Sequence, residues 1–147
     1  MQLLPEDKER LIRYIDFMES ELADFPKFRK IDWGTYNEDR DVRRNIERWV
    51  ENIVNCSIDI AKVIVASEDR RIPTSYKGIL KELGGTQHFD EAFGEEISQW
   101  ASLRNILAHE YLDIRWNSLK RFIQNSQPIY KKLINVIKRL LLSQRGK

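Results

Sequence analysis

The chain has 147 residues, enough for one domain that buries about two-thirds of the surface of its unfolded chain. Its 25 Lys and Arg residues nearly balance 23 Asp and Glu residues, and the net charge of +2 excludes binding to nucleic acid through the field of the whole protein. The single cysteine, Cys56, excludes an intramolecular disulfide framework and is expected to be a buried packing residue. With no signal peptide and no apolar run near the roughly 18 residues of a membrane span, the sequence predicts a cytoplasmic protein.

Helical periodicity covers the first half of the chain. In the first predicted helix, which Pro26 is expected to end, apolar residues recur at steps of three and four: Leu4, Leu11, Ile15, Met18, Leu22 and Phe25. Residues 27–35 are predicted to be a loop. Thr35 and Glu38 have capping-box spacing and predict the start of a second helix of about 30 residues. Its apolar stripe is Val42, Ile46, Trp49, Ile53, Ile60 and Ile64.

The second half continues the helical pattern. A short third helix is predicted after Pro73 and is closed by Gly84, and a fourth begins near Asp90. A fifth begins after Asp113, and Pro128 is expected to kink or split it because proline cannot donate the backbone hydrogen bond. No segment alternates convincingly as a strand. The sequence therefore predicts an all-α, antiparallel up-and-down bundle of four main helices plus one short helix, in one domain spanning all 147 residues.

The pattern with the most chemical content lies near the end of the fourth predicted helix, where residues 104–111 read Arg-Asn-Ile-Leu-Ala-His-Glu-Tyr. Arg104 can hold a phosphate in a planar fork, and His109 can give or take a proton near neutral pH. Together they can carry out phosphodiester chemistry without metal or cofactor. The chain has no Gly-rich phosphate loop, no zinc spacing of Cys and His and no serine nucleophile motif, so neither metal nor cofactor is expected.

Helix geometry limits what the octapeptide can do alone. At about 100° per residue, Arg104 and His109 point about 140° away from each other, whereas Arg104 and Tyr111 share a face. One straight helix therefore cannot focus Arg104 and His109 on a single phosphate. Either the helix loosens near His109, or a second protomer completes the site.

The octapeptide also carries a family resemblance. Arg, four residues, His, one residue and Tyr is the signature of the HepT-like branch of the HEPN superfamily. Residues 46–53 and 57–61 resemble the long second helix of that family, with its Glu and its Ile-Asp-Ile segment. Residues 73–84 resemble its short third helix, so that the resemblance covers residues 40–116.

The resemblance implies a small ribonuclease toxin that pairs with a nucleotidyltransferase antitoxin of the MNT type. It implies a homodimer in which two copies of the motif form one cleft, with Arg104 and His109 as the catalytic residues. It also implies that the antitoxin silences the toxin by attaching AMP to Tyr111. The expected function is therefore metal-independent cleavage of RNA, and no association with a membrane is expected. The alternatives are a non-catalytic module that presents a nucleotide or RNA to a nucleotidyltransferase, and a helical dimerisation module without an active site.

Three further polar residues are candidates for supporting roles. Asn105 either bonds to a phosphate or to His109, or caps a local turn. Asp59 lies where the resemblance places an acid and could orient Arg104 or His109, and Glu51 is a second candidate on the same predicted helix. For Arg104 considered alone, the competing interpretation is a salt bridge to an acid on the second helix.

Overall fold

The computed structural model describes residues 3–144, and every regular element in that range is helical. The elements are α1 (Pro5–Leu22), α2 (Phe25–Arg29), α3 (Trp33–Glu38), α4 (Arg40–Ser67), α5 (Tyr76–Leu83), α6 (Glu91–Ser98), a 3-10 turn (Gln99–Ser102), α7 (Leu103–His109), α8 (Leu112–Asn125) and α9 (Gln127–Ser143). The predicted all-α class is confirmed. Its four main helices correspond to α1, α4, the interrupted pair α6–α7 and the split pair α8–α9, with α5 as the short helix. Within residues 3–144, no helix combines the length and the apolar character that crossing a bilayer requires.

The link between the first two main helices differs from the prediction. Residues 27–35, expected to be a loop, contain most of α2 and the start of α3. α1 ends at Leu22, before the expected stop at Pro26, and Pro26 instead lies in the first turn of α2. That position suits proline because the amide it lacks would have had no partner in the first turn of a helix.

The predicted helix start at Thr35 is also wrong, because two aspartates cap the helices instead. The Asp32 carboxylate accepts a hydrogen bond from the Thr35 amide at 2.8 Å and begins α3. The Asp39 carboxylate accepts hydrogen bonds from the amides of Asp41 and Val42 and begins α4. Aspartate is the stronger of the two residue types as a helix cap, so the capping-box pattern at Thr35 loses this local competition.

Later boundaries agree with the prediction, except that the fifth predicted helix begins at Leu112, before Asp113 and not after it. Gly84 follows the last residue of α5, and the Asp90 carboxylate caps α6 by accepting a hydrogen bond from the Phe93 amide at 2.8 Å. Pro128 lies in the first turn of α9, directly after the point where α8 ends. The fifth predicted helix is therefore split at Ser126, two residues before Pro128, and the proline takes a position where its missing amide costs no hydrogen bond.

The long helix α4 is the scaffold of the bundle and contacts α1, α3, α5 and α7. Its Trp49 ring stacks on Phe28 with centroids 4.4 Å apart and meets the edge of Phe122 at 5.9 Å. The Trp49 indole donates a hydrogen bond to the Glu21 carbonyl at 2.7 Å, so its polar atom is satisfied inside the core. Cys56 of α4 is buried, as predicted for a packing residue, and burial raises the pKa of its thiol to about 12.

Two glycines let α5 and α6 approach closely. A Cβ atom on Gly94 would lie 2.8 Å from the Lys81 carbonyl oxygen and 2.9 Å from the Gly84 Cα. We expect Gly94→Ala to lower the free energy of unfolding by about 1–3 kcal/mol through overpacking. Gly34→Ala is the matched control, because a Cβ there would lie 3.6 Å from an Asp32 oxygen, which is ordinary contact. Urea denaturation of both variants measures the effect, and an unchanged midpoint for Gly94→Ala would contradict this packing.

Candidate nucleic-acid site

The octapeptide at residues 104–111 spans the end of α7 and the break before α8. Arg104 and His109 both lie within the α-helical turns of α7, so the helix does not loosen between them. The divergence of about 140° expected from helix geometry therefore applies to the folded chain. Arg104 is half-buried, whereas His109 is exposed as the last residue of its helix.

The prediction that Tyr111 shares a helical face with Arg104 is wrong, because α7 ends at His109. Glu110 and Tyr111 are extended, with ψ angles of 162° and 163°, and α8 begins at Leu112. The Tyr111 side chain is 83% exposed. Its phenol is therefore open to solvent and is not packed against α7.

Arg104 lies at a groove of about 640 Å³. Three of the predicted residues line it together, namely Glu51, Arg104 and Asn105. The remaining walls come from the start of α5 and from α7 and the turn before it: Thr74, Ser75, Tyr76, Lys77, Ala101, Ser102 and Ala108. His109 and Tyr111 are not among the lining residues. Within residues 3–144, no group of three or more His, Cys, Asp or Glu side chains could hold a metal ion.

The guanidinium of Arg104 stacks on the ring of Tyr76, with 4.1 Å between the guanidinium carbon and the ring centroid. Arg104 holds the pKa of the Tyr76 phenol below its ordinary value, chiefly through a hydrogen bond and then through its charge. Stacking fixes the plane of the guanidinium but leaves N–H groups at its edge for a phosphate. Tyr76 was not a candidate from the sequence, since nothing in the local pattern links it to Arg104.

Asp59 lies on α4 within the electrostatic reach of Arg104. Burial raises the pKa of the Asp59 carboxyl, and the positive charges of Lys62 and Arg104 oppose that shift. No ion pair within 4.0 Å joins Arg104 to an acid in the part of the chain that the structure describes. The competing interpretation of Arg104 as the partner of an acid on the second helix therefore does not hold, because its guanidinium faces Tyr76.

A second set of polar contacts reaches the break after His109. Arg115 of α8 donates through Nε to the Glu110 carbonyl at 2.7 Å, and its Nη1 lies 3.4 and 3.3 Å from the two carboxylate oxygens of Glu47. The Tyr36 hydroxyl donates to the same carboxylate at 2.5 Å. Burial, reinforced by the Glu47 carboxylate, raises the pKa of Tyr36 far above its ordinary value. Tyr36 and Arg115 carry no signal in the sequence pattern, and Glu47 lies only within the stretch that carries the resemblance.

An all-helical bundle in which Arg104 lines a groove, with His109 at the end of the same short helix, points to the class of this protein. The family model described as Ribonuclease HepT-like matches residues 14–137. The chain therefore belongs to the HepT-like ribonuclease family, which confirms the resemblance. No curated protein matches the sequence.

Solved structures share the fold at low sequence identity. The cytosolic protein of unknown function YutE from Bacillus subtilis is 21% identical, with a TM-score of 0.78 over 100% of this chain and 97% of that one. A tri-AMPylated Shewanella oneidensis HEPN toxin in complex with MNT antitoxin is 18% identical, with a TM-score of 0.75 over 88% and 97% of the two chains. A mutant of the toxin–antitoxin MntA-HpeT is 18% identical, with a TM-score of 0.77 over 89% and 98%. At these identities the likeness shows a common fold.

Proposed function

We propose that this protein is a metal-independent RNA endonuclease that acts as the toxin of a toxin–antitoxin pair. The observation that carries the proposal is the placement of Arg104, half-buried and stacked on Tyr76 at a groove, on the same short helix as His109. Membership of the HepT-like ribonuclease family supports it, as does the fold shared with a HEPN toxin in complex with an MNT antitoxin.

In the proposed reaction, the 2′-hydroxyl of the RNA attacks the adjacent phosphorus atom and the 5′-oxygen of the next nucleotide leaves. His109 takes the proton from the 2′-hydroxyl or supplies one to the leaving oxygen. Arg104 neutralises the charge that grows on the phosphoryl oxygens. Asn105 adds a hydrogen bond from the same groove, while Asp59 and Glu51 support the orientation of the motif. The products are a 2′,3′-cyclic phosphate and a 5′-hydroxyl.

The proposed site needs two copies of the chain. Arg104 and His109 diverge by about 140° along α7, so one copy presents them in different directions. Ile114, in the first turn of α8, is a large apolar side chain that is 42% exposed, and a second copy placed at the end of α7 would cover it. In that arrangement one His109 serves as the base, and the His109 of the second copy serves as the acid.

We expect a homodimer in solution. Light scattering at micromolar concentration should give twice the chain mass of 17.6 kDa. Ile114→Asp should shift the protein towards the monomer, because it places an unpaired charge in an apolar contact. Ile12→Asp on α1, at a position that is 50% exposed, is the matched control and should leave the dimer intact. A wild-type protein that is strictly monomeric would contradict the shared cleft.

A second candidate function is a non-catalytic module that presents a nucleotide or RNA to a nucleotidyltransferase. The observation that favours it is the position of His109 outside the groove that Arg104 lines. Arg104 stacked on Tyr76 offers a phosphate site that does not require His109.

Purified protein incubated with labelled RNA separates the two functions. A nuclease shortens the RNA, and His109→Ala lowers the rate of cutting by roughly 10² or more while RNA binding persists. A presenting module binds the RNA without shortening it, and His109→Ala leaves its binding unchanged.

A further inference from the structure

The two residues that follow His109 are both tied to Arg115. Its guanidinium Nε donates to the Glu110 carbonyl at 2.7 Å, and its backbone amide donates to the Tyr111 carbonyl at 3.0 Å. The bond to Tyr111 is the first backbone hydrogen bond of α8, whereas the bond to Glu110 comes from the side chain. The Arg115 side chain is therefore a direct tie between α8 and the point where the chain leaves α7.

Glu47 holds Arg115 in turn. Its two carboxylate oxygens lie 3.4 and 3.3 Å from Arg115 Nη1, and the side chains of Arg115 and Glu47 are only 24% and 16% exposed. Solvent and salt screen such a pair less than an ion pair on the open surface. The contact joins α8 to α4, 68 positions apart in the chain, so it fixes the break to the scaffold of the bundle.

The Glu47 carboxylate is itself fixed by the core. The hydroxyl of Tyr36 donates to it at 2.5 Å, and the Tyr36 side chain is fully buried, with its ring 5.2 Å from that of Trp116. A buried ring and a residue inside a 28-residue helix have little freedom to move. Successive hydrogen bonds therefore connect the buried Tyr36 to Glu47, Glu47 to Arg115 and Arg115 to the Glu110 carbonyl at the break.

We propose that Glu47 and Arg115 are positioning residues, which hold the break at Glu110 and Tyr111 so that His109 and Tyr111 keep a defined orientation. Neither residue touches the RNA. The catalytic consequence rests on the proposed ribonuclease function, whereas the structural consequence does not.

The test compares Glu47→Gln with Glu82→Gln. Glutamine at position 47 still accepts the hydrogen bond from Tyr36 but loses the charge that holds Arg115. Glu82 pairs with Arg70 at 2.8 Å, away from the octapeptide, and is therefore the matched control. Arg115→Lys is the second variant, because lysine keeps the charge but has no planar fork to bridge two acceptors. Circular dichroism checks that each variant is folded.

Nuclear magnetic resonance of the full chain is the first readout. The Glu110 amide donates to the Ile106 carbonyl and the residue-115 amide to the Tyr111 carbonyl, so both should exchange slowly with solvent. We expect faster exchange at both amides, and shifted His109 ring signals, in Glu47→Gln and Arg115→Lys but not in Glu82→Gln. If both folded variants match the wild type at these signals and only their unfolding midpoints change, the ion pair is merely stabilising and the proposal is overturned.

The kinetics of RNA cleavage are the second readout. We expect kcat to fall by about 10-fold to 10²-fold from misplaced chemistry, with little change in KM because Arg104 and its groove are intact. A changed KM with an unchanged kcat would overturn the positioning role. If the amide and His109 signals respond as expected but the wild type does not cut RNA, the positioning proposal stands and the ribonuclease function fails.

Discussion

Arg104→Ala and His109→Ala are each expected to reduce the rate of RNA cleavage by roughly 10² or more, the usual contribution of a charge-stabilising donor or of a general acid or base. Arg104→Ala removes both the phosphate fork and the contact with Tyr76. Arg104→Lys should restore only part of the rate, because an ammonium group cannot form the fork. Initial rates on a fluorescent RNA substrate measure all three variants.

The chain supplies a control for each substitution. His88, the second histidine, lies in the segment between α5 and α6, where its ring contacts the Gln87 side chain at 3.3 Å. Arg44 is exposed on α4. His88→Ala and Arg44→Ala should cut at close to the wild-type rate. If His109→Ala also cuts at that rate, His109 is not the acid or base of the reaction.

Coexpression with a nucleotidyltransferase antitoxin is expected to attach AMP to Tyr111 and to abolish RNA cleavage. The extended backbone of Tyr111 and the 83% exposure of its side chain leave the phenol open to the active site of a partner enzyme. Each AMP adds a phosphodiester charge and a bulky base two residues from His109. Because the substrate is itself a chain of phosphates, the added charge repels RNA while the base blocks its path.

Intact mass measurement tests the modification. Mass increments of AMP should be present in the wild type and absent in Tyr111→Phe. Tyr76→Phe is the control. Tyr76 is 46% exposed and Arg104 lowers the pKa of its phenol, so an unselective transfer would also modify it. Tyr76→Phe should therefore keep the same mass increments as the wild type. Increments that survive in Tyr111→Phe would exclude Tyr111 as the acceptor. An unmodified toxin that is nonetheless neutralised would favour simple occlusion of the cleft.

The bundle was predictable from the sequence because it depends on local periodicity. The predicted stripe of the second helix includes Ile46, Ile53 and Ile60, which are all fully buried in α4. The boundaries near Thr35 were not predictable in the same way, because neighbouring caps compete there and Asp39 prevails. The end of α7 was concealed for a different reason. Leu103, Leu107 and Tyr111 keep the four-residue spacing of a continuous helix across the break.

Part of the candidate site was likewise predictable from the sequence, and part was not. The motif identified Arg104, because the residue types and their spacing lie within one short segment. Its contact with Tyr76 depends instead on how α5 lies against the 3-10 turn that precedes α7, and α5 is placed in part by the close approach of Gly84 and Gly94. Contacts of this kind join distant parts of the chain and leave no periodic signal in a single sequence.

The chemistry of RNA cleavage under chelation tests the central claim most directly. The purified chain should cut RNA in the presence of EDTA and leave 2′,3′-cyclic phosphate and 5′-hydroxyl ends, both identifiable by mass spectrometry. DNA of the same sequence, and RNA with a single 2′-deoxy substitution at the cleavage site, should remain intact because the attacking hydroxyl is absent. Loss of cleavage on chelation, or equal cutting of DNA, would contradict a mechanism in which Arg104 and His109 act on the 2′-hydroxyl of the substrate.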